Sequence, residues 1–313
     1  MIEVQNVSKS YGPVHAVRDI SFSVQKGEIL GFLGPNGAGK TTTMRILSCF
    51  MPATTGTARV AGFDVFENAM EVKKRIGYLP ENPPLYMEQT VDDFLRFVAG
   101  IKGLSGPDVK SKIDRALELT TTVDVRHRII GKLSKGFRQR IGLAQALIHE
   151  PEVLILDEPT VGLDPAQIIE VRELIKGLAG DHTIILSTHI LPEVEQTCDR
   201  VVIINKGQVV AEDTTTGLTQ KLQGASTVKL EVEGDPEAIK TTLRSVDGVV
   251  NVTHTAGAYM IESTAEKDIR SELARVIVTN KFKLFGLQSV GMNLEEIFLQ
   301  LVKSETGAGR VEA

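Results

Sequence analysis

The chain has 313 residues, of which 42% are hydrophobic and 24% charged, with a formal net charge of −5 and a pI of about 5.8. That length suits about two domains, the balance suits a soluble globular protein, and the lack of a long basic stripe argues against nucleic acid as a partner. Cys49 and Cys198 stand far apart and make no disulfide framework, which points to a reducing cytosol.

Residues 1–33 alternate apolar and polar positions around the Tyr11-Gly12-Pro13 turn, which predicts antiparallel strands leading into a buried strand that ends at Leu33. Met1-Ile2-Glu3-Val4 carries no basic and apolar leader pattern. Helical spacing follows over 42–47, then strand-like runs at 57–60 and 76–79. Residues 85–150 turn mainly helical, with helices predicted over 91–100, 107–119 and 134–149. Apolar strand runs return at 153–156, 183–186 and 201–204. None of these runs approaches the ~20 residues needed to cross a bilayer, so a membrane role requires a partner chain. The fold class is therefore α/β, with an antiparallel β-subdomain at the start and a helical subdomain inserted at 85–150.

The chain becomes polar around Asp213 and again at Gly224-Ala225-Ser226. A first domain over 1–215, a linker over 216–226 and a second domain over 227–303 follow from that change. The second domain reads strand, helix, strand, strand, helix, strand and a last helix at 293–303, which predicts a small ferredoxin-like α+β unit. Residues 304–313 are expected to form a flexible tail.

Between the buried strand at 28–33 and the helical run at 42–47 stands Gly34-Pro35-Asn36-Gly37-Ala38-Gly39-Lys40-Thr41. A glycine-rich loop in that position curls backbone N–H groups around phosphate oxygens, and the helix behind it adds its free N–H groups. Lys40 then reaches the β and γ phosphates, and the Thr41 hydroxyl suits Mg²⁺. The strand 153–156 ends in Asp157-Glu158, where Asp157 suits the metal and Glu158 suits polarising an attacking water. Strand alternation puts Glu158 on the face opposite Asp157. A further strand runs into Ser187-Thr188-His189, which places His189 near a γ-phosphate. Leu133-Ser134-Lys135-Gly136 opens a long helix with Ser134 as N-cap, a second anion-binding helix end. One chain already cradles its phosphates at residues 34–41, so this second end makes most sense against another subunit's nucleotide.

Taken together, these motifs resemble the nucleotide-binding subunits of ABC transporters, over residues 1 to about 215, with five motifs in the family's order. The resemblance implies a P-loop NTPase core that binds ATP and Mg²⁺. In it, the loop from Gly34 to Thr41, with Thr42 behind it, is similar to Walker A. Asp157 and Glu158 are similar to Walker B with its catalytic glutamate, Val161-Gly162-Leu163-Asp164 to the D-loop, and His189 to the switch histidine. Tyr11 matches the aromatic that stacks on adenine, and Ser134, Lys135 and Gly136 the signature motif. Two positions depart from the common pattern. Lys135 replaces a glycine, and Glu81 of Tyr78-Leu79-Pro80-Glu81 replaces the lid-loop glutamine as a metal ligand. The export-type branch often carries both features and a small C-terminal domain ending like Leu294-Glu295-Glu296-Ile297-Phe298-Leu299. The implied partners are a separate transmembrane permease and a second ATPase subunit, identical or related. The implied place is the cytoplasm, peripheral on the inner face of the cell membrane. Within the docking interface fall Leu85, Tyr86 and Met87, whose other reading is as anchors of the helical core.

Two other readings compete. A soluble ABC-type ATPase outside transport would show two phosphate loops or a long coiled coil, and this chain has neither. A GTPase would need an aspartate after Asn205-Lys206-Gly207, where Gln208 stands. A Lys-Gly hairpin turn accounts for that segment.

Overall fold

In the computed structural model, residues 1–214, 217, 225–255, 258–264 and 269–290 are described. At the centre of the larger sheet lies β3 (Ile29–Leu33), buried at all five positions, as befits a strand covered on both faces. It pairs in parallel with β8 (Thr183–Thr188) on one side and β9 (Arg200–Asn205) on the other. Beyond β8 the parallel pairing continues through β7 (Val153–Asp157) to β6 (Ile76–Leu79). The antiparallel strand β10 (Gln208–Thr214) closes the edge, so the order is β10-β9-β3-β8-β7-β6. Parallel register sets the C-terminal ends of β3, β7 and β8 side by side, where ligands of open α/β sheets bind.

A second sheet, in the order β2-β1-β4-β5, is antiparallel throughout. It comprises β1 (Ile2–Tyr11), β2 (Val14–Val24), β4 (Thr55–Val60) and β5 (Phe63–Asp64). Its buried residues Ile2, Val4, Ile20 and Phe22 share one core with Leu30, Phe32 and Ile185 of the larger sheet. Phe22 and Phe32 meet with ring centroids 5.3 Å apart. Helix α1 (Lys40–Leu47) follows β3, and the short helix α2 (Ala69–Arg75), not legible in the sequence pattern, leads into β6.

The helical block has its own core. Helices α3 (Val91–Ile101), α4 (Asp108–Leu119) and α5 (Lys135–Leu147) bury Phe94, Leu95, Ile113, Leu117 and Ile141 against one another. Thr90 caps α3 by accepting from the Asp93 N–H. Arg126 bridges Asp92 of α3 and Asp114 of α4. Two further helices escaped the sequence reading, α6 (Pro165–Gly177) and α7 (Leu191–Thr197). The β9–β10 turn holds Lys206 and Gly207 at φ 47° and 84°, the left-handed pair of a two-residue hairpin. The Gly207 N–H donates to Ala38 O at 3.0 Å, and Gly207 O accepts from the Arg18 N–H at 2.7 Å. The hairpin thereby underpins the loop between β3 and α1.

The chain divides into two compact units, Met1–Thr215 and Thr216–Ala313. In the second, β11 (Ala225–Glu233), α8 (Pro236–Arg244), β12 (Val249–Thr255), β13 (Ala258–Thr264), α9 (Arg270–Thr279) and β14 (Lys283–Val290) follow in order. The sheet runs β12-β13-β11-β14 with antiparallel pairs throughout. That is the connectivity of a βαββαβ ferredoxin-like unit. Val228, Leu230 and Ile261 of the sheet bury against Ile239 and Leu243 of α8 and Leu273 and Ile277 of α9. The helix expected at 293–303, the motif from Leu294 to Leu299, the tail 304–313 and most of the linker 216–226 lie outside the described residues. Among the described residues no helix is long and apolar enough to cross a membrane.

Where α5 meets β6, His149 sets Nε2 2.8 Å from Ile76 O, with the Lys102 ammonium 3.2 Å from the same nitrogen. Burial, followed by the Lys102 charge, pushes the imidazole pKa down to about 4. An unfolded histidine titrates near pH 6.5, so the unfolded chain takes up the proton first and stability falls as pH drops from about 6.5 towards about 4. His149→Gln should remove that slope. Urea unfolding at pH 7.5 and pH 4.5 should show about 2 kcal/mol less pH-dependent loss in the variant. Equal losses in both proteins would rule out this origin.

Candidate active site

The phosphate-loop segment begins where β3 stops. A Cβ on Gly34 would lie 2.4 Å from Ile204 O, so only glycine passes there. Gly39 has φ 108°, and a Cβ on it would lie 2.6 Å from Ala16 O. This residue takes the N-cap position of α1, and the first N–H groups of that helix are left for a ligand.

Lys40 opens α1 and is only 6% exposed. Its ammonium donates to Gly34 O at 2.8 Å and Pro35 O at 3.3 Å, and pairs with Glu158 Oε1 at 3.1 Å. Thr41 Oγ1 donates to Asp157 Oδ1 at 3.3 Å, and Ser187 Oγ donates to the same oxygen at 2.5 Å. Strand alternation stops at Asp157. Glu158 has φ 51°, and its N–H donates to Ser187 O at 3.0 Å and Ser187 Oγ at 3.2 Å. That left-handed turn corrects the expectation of opposite faces: Asp157 reaches Thr41 while Glu158 reaches the adjacent Lys40. His189 Nδ1 lies 2.8 Å from Glu158 Oε2.

Lys40, Thr41, Glu158 and His189 line a cavity of about 460 Å³ with Ala16, Asn36, Gly37, Thr42, Glu81 and Val161, and Asp157 lies behind Thr41. Ala16 carried no sequence signal for it, whereas Val161 belongs to the D-loop-like segment. Burial, reinforced by the Glu158 and Glu81 charges, raises the Asp157 carboxyl pKa, while the Ser187 and Thr41 hydroxyls pull the other way. Asp157 Oδ2 is buried without a hydrogen-bond partner. A buried, unpartnered carboxylate oxygen beside a threonine hydroxyl suits a hard divalent cation. Among the described residues no three His, Cys, Asp or Glu side chains converge as a ready-made cage.

Other sequence candidates lie elsewhere. Tyr11 is 45% exposed, donates its hydroxyl to Met51 Sδ and carries the Lys9 ammonium 5.4 Å from its ring centroid. Ser134 caps α5 by accepting from the Phe137 N–H at 3.4 Å, and Asp164 caps α6 by accepting from the Gln167 N–H at 3.0 Å. The Lys135 side chain folds over Gly162 of its own chain, and Gly136 lies under the Gln167 side chain. None of Tyr11, Ser134, Lys135, Gly136 and Asp164 lines the cavity.

A strand–phosphate loop–helix unit with an acidic strand end beside it, joined to an antiparallel subdomain and a helical block, defines a P-loop nucleoside triphosphatase of the ATP-binding-cassette class. The family model for ABC transporters matches residues 17–161. The linearmycin resistance ATP-binding protein LnrL of Bacillus subtilis (strain 168) is 36% identical over 305 residues, covering 96% of this chain and 98% of that protein. The bacitracin transport ATP-binding protein BcrA of Bacillus licheniformis is 34% identical over 308 residues, covering 98% of each. A solved ATP-binding subunit of an ABC transporter superposes with a TM-score of 0.64 at 31% identity, over 71% of this chain and 92% of that one. The chain belongs to the ATP-binding subunits of ABC transporters and is an ATPase. Membership sets aside the readings as a non-transport ATPase or a GTPase.

The buried Lys40–Glu158 pair yields a stability prediction. Lys40→Met leaves a buried carboxylate without its cation, which should cost ~3 kcal/mol of unfolding free energy. Adding Glu158→Gln should recover most of it in denaturant titrations. Additive losses would mean that the pair is not coupled.

Proposed function

We propose that this chain hydrolyses ATP at the cavity below α1 and drives export through a separate permease, docked on the cytoplasmic face of the membrane. The observation that carries the reading is Glu158, buried and held between Lys40 at 3.1 Å and His189 at 2.8 Å. Phosphate oxygens bound by the loop compete for the Lys40 ammonium, and that competition frees Glu158 to orient and deprotonate the attacking water. His189 holds the other carboxylate oxygen and lines the same cavity, where it would meet the γ-phosphate. Thr41 and Asp157 would hold Mg²⁺, with Glu81 at the cavity wall beside them, and the ion would neutralise phosphate charge. Tyr11 offers an open ring face for adenine.

Ser134, Lys135, Gly136 and Asp164 stand apart from this cavity, which supports a role towards the nucleotide of a second ATPase subunit. The working unit is then a dimer, of this chain or of this chain with a relative. Export is inferred from the company the chain keeps: relatives named for resistance to linearmycin and daunorubicin and for bacitracin transport. The permease selects the compound.

For permease docking, the exposed aromatic patch is the best-supported surface. Tyr86 and Met87 are 50% and 47% exposed, and the Tyr86 ring meets Phe97 edge-on at 5.3 Å. Leu85 packs on the helical core, and the Tyr86 ring also meets Phe94 of that core at 6.1 Å. A second cavity, about 470 Å³, is lined by Arg45, Phe50, Tyr78, Pro84 and Asp157. Glu81 lines both cavities, so a group docked in one meets the residue that borders the other.

Two outcomes are expected. Glu158→Gln should keep ATP binding, lower turnover by ~10²-fold and make an ATP-dependent dimer visible by size-exclusion chromatography. Unchanged turnover would remove Glu158 from the chemistry. Replacing Tyr86 and Met87 together by serine should leave basal ATPase and melting temperature near normal while abolishing co-purification with the permease. Retained co-purification with a lowered melting temperature would reject the docking role.

A further inference from the structure

Glu193 is 4% exposed, although it belongs to α7 and to no motif of the phosphate site. Among the described residues no Lys, Arg or His stands within ion-pair distance of it. Its two oxygens are occupied separately. Oε1 accepts from the Thr160 hydroxyl, and Oε2 accepts from the Thr188 hydroxyl at 2.7 Å. Both threonines are buried, at 4% and 0% exposure. Thr160 lies two residues after Glu158, and Thr188 immediately precedes His189.

The remaining bonds of these threonines constrain the same two loops. Thr188 Oγ1 also accepts from the Ile190 N–H at 3.0 Å, so a closed turn wraps His189. Thr188 O accepts from the Gly34 N–H at 3.3 Å, at the start of the phosphate loop. Thr160 O accepts from the Leu163 N–H at 3.2 Å. A hydroxyl has one proton to give, and Thr188 already accepts a backbone N–H, so its proton needs an acceptor beyond the loop. A carboxylate is acceptor-only and offers two oxygens at a fixed spacing. It can therefore order two hydroxyls from two different loops at once, and its burial makes any mismatch costly.

We propose that Glu193 is a positioning residue for hydrolysis. It clamps the loop after Glu158 to the loop carrying His189 and so sets the Glu158–His189 contact of 2.8 Å. Glu193 does not itself line the cavity. It fixes the separation of the two groups that do, in the way a supporting shell holds a reacting pair. The inference rests on Glu158 and His189 acting in hydrolysis as proposed above.

The test compares the full-length chain with Glu193→Gln, Glu193→Leu, Thr160→Val and Thr188→Val variants. Glu158→Gln and His189→Ala serve as controls. Steady-state ATPase gives kcat and KM, a fluorescent ATP analogue gives Kd, and thermal melting reports folding. A clamp predicts kcat lowered by ~10-fold in Thr188→Val and Glu193→Leu, with KM and Kd within about twofold, the signature of a lost transition-state arrangement. Glu193→Gln keeps one acceptor and should recover part of the loss. The Glu193→Leu, Thr188→Val double variant should be no slower than the worse single variant. Wild-type kcat in the valine variants, or kcat falling only in step with Kd or the folded fraction, overturns the proposal. The valine variants conserve shape and keep the test open even if Glu193→Leu does not fold. If Glu158→Gln and His189→Ala themselves turn over normally, the active-site reading fails first. If those two are impaired while the Glu193 and threonine variants are normal, only the clamp fails.

Discussion

Charge buried at the C-terminal edge of a parallel sheet is the constraint on which the first unit depends. Lys40, Asp157 and Glu158 are each less than a tenth exposed. Charges removed from water are costly unless paired and hydrogen-bonded. Lys40 meets this demand through two carbonyls and Glu158, and Asp157 through two hydroxyls on a single oxygen. The second Asp157 oxygen is left without a partner. The site is thus neutralised on its lysine side and short of positive charge on its aspartate side. That asymmetry suits a substrate that arrives as an anion together with a cation.

The sheet makes such an arrangement possible. Because β3, β7 and β8 are parallel and in register, their ends deliver Gly34, Asp157 and Thr188 to one edge. Their apolar runs are buried on both faces, so the strands cannot slip without exposing a continuous core. The site then inherits the rigidity of the sheet, with Asp157 at the end of β7, Lys40 and Thr41 at the start of α1, and Glu158 and His189 just past β7 and β8.

Much of this was legible in the residues. The runs ending at Leu33, Leu156 and Leu186 are apolar and short, and the glycines of the phosphate loop stand where backbone must bend and leave room. The alternating start of the chain and the βαββαβ order of the second unit follow from period and turn chemistry alone. Glu158 departs from strand alternation because its φ of 51° goes with two bonds donated by its N–H to Ser187, 29 positions away in the chain and outside its local pattern. Asp164 and Pro165 form the capping pair that opens helix α6, a signal that the D-loop resemblance of Asp164 masks. Glu193 carries no local mark at all. An acid in the first turn of a short helix looks like a dipole partner facing water, and only the tertiary fold turns it onto two threonine hydroxyls.

The β9–β10 turn has a consequence for how variants of this chain would be understood. Gly207 sits in what looks like an ordinary surface hairpin, yet its N–H holds the Ala38 carbonyl, and a Cβ there would come within 2.9 Å of Ala16 O. Both neighbours belong to the walls of the nucleotide cavity or the loop that forms it. A substitution at Gly207 would therefore surface in a genetic screen as a lesion in ATP affinity, far along the chain from the phosphate loop it supports. Mapping by sequence distance would assign that phenotype to the wrong part of the molecule.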